Sequence, residues 1–179
     1  MRFLLSKLIG IAGPLGSGKS SLTRAIASAL PATRVSFGAF VVARAQEDGT
    51  DPTREVLQIL GERLLTNCGA AKFVELVLEY HKVGDQETIV VDGVRHVAVW
   101  HELRRRSADA TLVYLDVPLD LCVERLRVRD SISLDNAQSQ MSHQMEQRAS
   151  CLRDLADVVL EHGEIAAWLT RVIAVGRSD

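Results

Sequence analysis

GIAGPLGSGKSSL, residues 10–22, is the stretch on which the reading of this 179-residue chain turns. Within it GPLGSGKS (13–20) has the spacing G-x-x-x-x-G-K-[S/T], preceded by an apolar run and followed by a helical pattern. That context fits a loop that cradles phosphate. Gly13, Gly16 and Gly18 let the backbone take positive φ and present bare N–H groups to phosphate oxygens. A helix opening near Gly18 adds the positive end of its dipole. Lys19 supplies a point charge for the β and γ phosphates, and Ser20 a hydroxyl for Mg²⁺. Ser17 and Ser21 belong to the same binding segment, so ATP and Mg²⁺ are the expected cofactors.

The apolar runs outside the loop set the architecture. LIGIAG (8–13), ETIVVDG (87–93), ATLVYLDV (110–117) and ADVVLEH (156–162) are short, rich in Val, Ile and Leu, and hardly alternate, as strands buried on both faces do. TRVSF (33–37) is a weaker fifth. Helical patterns lie between them, over 18–30, 38–47, 53–66, 70–81, 96–106, 118–129, 134–150 and 163–170. This alternation predicts an α/β three-layer sandwich with a five-stranded parallel sheet, formed by residues 1–179 as one domain. Its ligand crevice should lie beyond the carboxyl ends of the strands, where Gly13, Asp92 and Asp116 meet. Residues 38–82 read as an acceptor-side helical insertion and 125–150 as a lid-like segment.

Composition narrows the function classes. With 47% hydrophobic and 25% charged residues and a net charge of −2, the chain lacks the basic field or aromatic-studded stripe of a nucleic-acid binder. No membrane association is expected, because Lys7 and then Gly10, Gly13 and Pro14 interrupt the apolar start. Cys68, Cys122 and Cys151 have neither disulfide nor zinc spacing and read as small buried residues of a cytoplasmic protein. Nothing in the sequence sets an oligomeric state.

Several side chains are candidates for chemistry. Asp92 ends the run TIVVD, where an acid beside a phosphate loop holds Mg²⁺; it also suits the turn before Gly93. Asp116, in YLDVP, reads more simply as a helix cap. Arg95, in VDGVR, leaves the same strand end as Asp92 and offers a fork to an acceptor phosphate. Arg125 and Arg129 fall on one helix face in CVERLRVRD, with Arg127 turned elsewhere; two cations there would neutralise a moving phosphoryl group. Arg44 is a further acceptor-side candidate, whereas Arg104, Arg105 and Arg106 read as an exposed helix end. His143 and Glu146 form a one-turn pair, compatible with a lid contact and equally with a surface pair.

Together GxxxxGKS, DGVR and VPLDLCVERLRVRD resemble the P-loop nucleoside monophosphate kinases. The DGVR stretch is similar to the D-G-x-x-R with which adenylate kinases grip the acceptor phosphate. RLRVRDSISLDNAQSQMSHQM and LADVVLEHG resemble the lid and last strand of dephospho-CoA kinases. The resemblance implies phosphoryl transfer from ATP to a nucleoside monophosphate or related small nucleotide, with Lys19, Arg95, Arg125 and Arg129 in the catalytic set and Arg44 and Arg95 on the substrate. Two positions depart from it. Ala39 and Phe40 stand where such kinases carry an acid after the second strand, and Gln140 where the lid commonly has an arginine. A hydroxyl acceptor needs a base, whereas an acceptor phosphate is already an anion, so the missing acid points toward phosphate acceptors. A dephospho-CoA kinase-like transfer with Glu62 as base, and a nucleotide-binding pseudokinase, remain as alternatives.

Overall fold

The computed structural model describes residues 4–145 and 149–176, with side chains described over 4–141 and 151–174. Five strands, β1 (Lys7–Ala12), β2 (Thr33–Ser36), β3 (Thr88–Asp92), β4 (Ala110–Asp116) and β5 (Val158–Glu161), form one sheet in the order β2-β3-β1-β4-β5. All four pairings are parallel, and β1 lies between β3 and β4 with Ile11 opposite Asp92 and Ala12 opposite Tyr114. The expected five-stranded parallel sheet is therefore present, between layers of helix. Central strands bury both faces, which is why their sequences carry no polar alternation.

Eight helices complete the layers among the described residues: α1 (Lys19–Ala29), α2 (Phe37–Glu47), α3 (Arg54–Tyr80), α4 (Val97–Arg104), α5 (Leu119–Asp130), α6 (Leu134–Met145), α7 (Ala149–Asp154) and α8 (Ile165–Gly176). One core, under α2, α3 and α4, gathers Phe40, Phe73, Val77, Trp100 and Leu103 against Val35, Ile89, Val91 and Leu112. The other, under α1, α5, α6 and α8, joins Leu22, Ile26 and Leu126 to Ile11, Val90, Val113 and Leu115. None of the helices is long and apolar enough to cross a membrane.

Local chemistry explains most boundaries. Ser36 ends β2 and caps α2, its hydroxyl accepting from the Ala39 N–H at 3.2 Å. Thr53 caps α3 in the same way. The two helices expected over 53–66 and 70–81 run together as α3, and the gap between them survives as a break at Gly69, where φ is 74° and ψ 163°. Of the helix expected over 134–150, α6 covers Leu134–Met145 and α7 begins at Ala149, while residues 146–148 lie outside the described residues. The last helix extends to Gly176, past the expected end at 170, and its Ile165, Trp168 and Leu169 pack on the α1 side of the sheet. Of the three cysteines Cys122 is buried, Cys68 half-buried and Cys151 exposed, so the expectation of three buried thiols holds only for the first.

At Gly10 the Trp100 ring of α4 packs against the central strand. A Cβ there would stand 2.7 Å from Trp100 Cζ3 and 3.3 Å from Leu112 Cδ1, in a region with no free volume. Gly10→Ala should lower stability by about 1–3 kcal/mol through overpacking, measured as a shift in the urea midpoint at unchanged m.

Candidate functional site

The carboxyl ends of β1, β3 and β4 open into a crevice of about 910 Å³. Its floor is the loop between β1 and α1. Gly13, Gly16 and Gly18 have φ of 140°, 78° and 97°. Gly16 is fixed by contact as well: a Cβ there would lie 2.4 Å from the Cys122 carbonyl oxygen at the start of α5. The loop is thus clamped between the sheet and α5, and bare backbone faces the crevice.

Lys19 is buried beneath this loop, its Nζ donating to the carbonyls of Gly13 at 2.9 Å and Pro14 at 2.6 Å. Burial, and then the positive charge of Arg95, pull its pKa down to about 7, against a smaller upward pull from Asp92. Ser20, on the first turn of α1, donates its hydroxyl to Asp92 Oδ1 at 3.1 Å. These two oxygen donors, one neutral and one anionic, suit Mg²⁺, and among the described residues no cluster of three metal-ligating side chains offers a rival site. Gly13, Gly16, Gly18, Lys19, Ser20 and Ser21 all line the crevice. Ser17 does not: its side chain is buried and turned toward Gly13, its hydroxyl without a protein partner.

The opposite wall brings together residues from α3, the β3–α4 turn and the end of α5. Arg95 is reached by solvent along the crevice, yet the walls crowd it. That desolvation, followed by the facing charge of Arg54, weakens its hold on its proton, while Asp92 and Glu62 oppose the effect. Arg125 donates to the Gly16 carbonyl at 3.4 Å and lies as far from His162 Nε2. Arg129 forms a two-bond fork with Asp130, at 2.7 and 2.8 Å, and Asp130 also accepts from Arg54 at 2.8 Å. The Arg129 bond holds the Asp130 carboxyl below its ordinary range. Glu62 lies 3.6 Å from His96 Nε2 on the same wall. Arg127 pairs with Glu124 on the solvent face, as its place on the helix implied.

Several expected sites fall elsewhere. Arg44 does not line the crevice; it pairs with Glu47 and lies over the Phe40 ring, 5.4 Å from its centroid. Phe40, where an acid was sought, is a core residue packed on Phe73 and Tyr80. Asp116 accepts two bonds from Arg153 and is half-exposed away from the loop. Arg106 is buried rather than exposed, bonded to Glu102 and the Ala71 carbonyl. Glu146 lies outside the described residues, as does the His143 side chain. Gln140 does line the crevice.

Two crevice residues, Asp130 and Arg54, and a third behind the crevice, Arg34, escaped the sequence reading. Asp130 stood in plain view beside Arg129, but Arg54 and Arg34 carried no local signal. Arg34, on β2, ion-pairs with Asp92 Oδ2, and its Nε donates to Thr23 Oγ1 at 3.2 Å. Only the pairing of β2 with β3 brings Arg34 and Asp92 onto one face of the sheet.

The family described as AAA domain matches residues 9–147. No curated protein matches the chain. Among solved structures the chain is similar to TT1252 from Thermus thermophilus (19% identity, TM-score 0.65, covering 94% of this chain and 97% of that one). It is also similar to the shikimate kinase from Acinetobacter baumannii in complex with shikimate (18%, TM-score 0.62, 97% and 94%). The dephospho-CoA kinase from Campylobacter jejuni aligns over 96% of this chain and 98% of its own, at 15% identity and a TM-score of 0.55. At these identities the likeness is one of fold.

The depressed Lys19 pKa has a defined sign. Below pH 7 the ammonium is charged in both folded and unfolded chains and its desolvation cost is fully felt; between about 7 and 10.5 the unfolded chain binds more protons, so the cost fades as pH rises. Lys19→Met removes the group. Its stability relative to wild type should therefore be most favourable at pH 6 and decline steadily toward pH 10, in urea melts of both proteins across that range.

Proposed function

Because the chain belongs to the AAA domain family and carries the P-loop kinase fold, we propose that it transfers a phosphoryl group from ATP to a nucleoside monophosphate or related small nucleotide. The observation that carries this reading is the meeting, in one crevice, of Lys19 and the Ser20–Asp92 pair on one side with Arg95 and Arg54 on the other. An anion held by the loop and an anion held by the arginines would face each other across it.

In this reading the loop N–H groups, Lys19 and Ser21 hold the polyphosphate, and Ser20 and Asp92 hold Mg²⁺, which supplies charge neutralisation to the phosphates when bound. Arg95 and Arg54 grip the acceptor phosphate with planar forks. An oxygen of that phosphate attacks the γ-phosphorus, the bond to the β-phosphate bridging oxygen breaks, and ADP leaves; no proton need be removed from the nucleophile. The apolar burial of Phe40 and the absence of an acid at Ala39 fit this chemistry. Arg125 and Arg129, on the segment 125–150 that we assign as a lid, would follow the charge as it moves. Residues 38–82 form the acceptor side, within one kinase domain spanning 1–179.

Glu62 supports a second reading. It is a carboxylate on the acceptor wall, within 3.6 Å of His96 Nε2, and such a pair suits a base that takes the proton of a hydroxyl acceptor, as in a dephospho-CoA kinase-like transfer.

A coupled assay of ADP release across nucleoside monophosphates and dephospho-CoA separates these readings. Lys19→Ala should lower kcat/KM by about a hundredfold or more. Arg95→Ala should raise the acceptor KM by about tenfold or more while changing the ATP KM little. Activity with a hydroxyl acceptor that disappears in Glu62→Gln would favour the second reading. ATP binding without turnover of any acceptor would count against both.

A further inference from the structure

We infer that Arg34 is a positioning residue that keeps the metal site from loading until nucleotide is present, an inference resting on the assignment of Ser20 and Asp92 to Mg²⁺. Both carboxylate oxygens of Asp92 are already engaged. Oδ1 accepts from the Ser20 hydroxyl at 3.1 Å, and Oδ2 is ion-paired with the Arg34 guanidinium. Arg34 is itself held: its Nε donates to Thr23 Oγ1 at 3.2 Å, and that fully buried hydroxyl donates onward to the Ser20 carbonyl at 3.2 Å. A closed ring of contacts thus ties β2, β3 and the first turn of α1 around the acid.

Strand geometry places the guanidinium there. Arg34 is opposite Val90, and two residues on Ser36 is opposite Asp92, so Arg34 and Asp92 project from the same face of neighbouring strands. Asp92 is 7% exposed and the Arg34 side chain 33%, so the pair is only partly screened by water.

A divalent cation arriving alone would find two protein donors, one of them a carboxylate already neutralised by Arg34, close to the Lys19 ammonium. Mg²⁺ sheds its water reluctantly and takes oxygen ligands in a demanding octahedron, so this offers too little. Phosphate oxygens supply both the missing ligands and the charge that offsets Arg34 and Lys19. Metal and nucleotide therefore enter together. Without Arg34, Asp92 would be a nearly buried carboxylate without its ion-pair partner, and its pull on a metal would be opposed only by the charges of Lys19 and Arg95, which do not bond to it.

Mn²⁺ titrated into the nucleotide-free 179-residue chain, followed by the spin resonance of free Mn²⁺, tests this. Wild type should show no site tighter than about 1 mM. Arg34→Met should bind Mn²⁺ at least about tenfold tighter, a modest fraction of the repulsion from one cation a few ångströms away. Arg34→Lys, which keeps the charge but not the fork, should stay near wild type, and Arg34→Met with Asp92→Asn should lose the new site. Equal Mn²⁺ affinity in wild type and a folded Arg34→Met overturns the inference. Should Arg34→Met fail to fold, micromolar Mn²⁺ binding by nucleotide-free wild type overturns it alone. The metal assignment underneath is tested separately: Asp92→Asn binding Mn²⁺ as tightly as wild type when ATP is present would overturn that assignment, whatever Arg34 does.

Discussion

The ammonium of Lys19 lies at the carboxyl edge of the sheet with two of its hydrogen bonds directed back to the Gly13 and Pro14 carbonyls, and almost no water to share its charge. Everything around it follows from holding a cation in that place. The loop must wrap it closely, which requires glycine at positive φ and leaves no room for a side chain at Gly16 against the Cys122 carbonyl. Helix α5 must therefore approach the loop, and it carries Arg125 and Arg129 with it. A lysine whose pKa has fallen to about 7 is a site waiting for negative charge, because an anion would restore the proton affinity that burial removes.

In and behind the crevice the same logic is repeated with arginine. Arg34 is matched by Asp92, Arg129 and Arg54 by Asp130, and Arg125 rests on the Gly16 carbonyl. These cations are thus held in internal pairs or on backbone oxygens, whereas Arg95 faces the crevice. A polyphosphate would compete with those partners, so binding exchanges one set of charge contacts for another. Such exchange favours ligands that bring several negative charges at once, and disfavours a lone metal or a single carboxylate.

The sheet was legible in the sequence because strands buried on both faces are continuous apolar runs, and the phosphate loop because its glycines obey a strictly local rule. Even the break at Gly69 was visible as a gap between two helical patterns. Arg44 shows where such reading fails. It lies on a helix of the expected acceptor segment and shares a face with Phe40 and Val41, but it sits one turn beyond Val41, the last residue of α2 to line the crevice, and there it covers the Phe40 ring and pairs with Glu47. Arg106 fails for a related reason: a cation near a helix end looks solvent-exposed until α3 packs over it and offers the Ala71 carbonyl.

What the sequence determined by itself was therefore whatever depends on neighbours along the chain: the strand runs, the conformation of residues 13–20, and the placing of Asp92 and Arg95 at one strand end. What only the tertiary structure decided was which charges face one another. The ring of Ser20, Thr23, Arg34 and Asp92 joins residues up to 72 positions apart, and the Arg54–Asp130 bridge spans 76. Those contacts depend on β2 lying beside β3 and on α3 reaching the end of α5, arrangements fixed by burial of the whole core and not by any short stretch of chain.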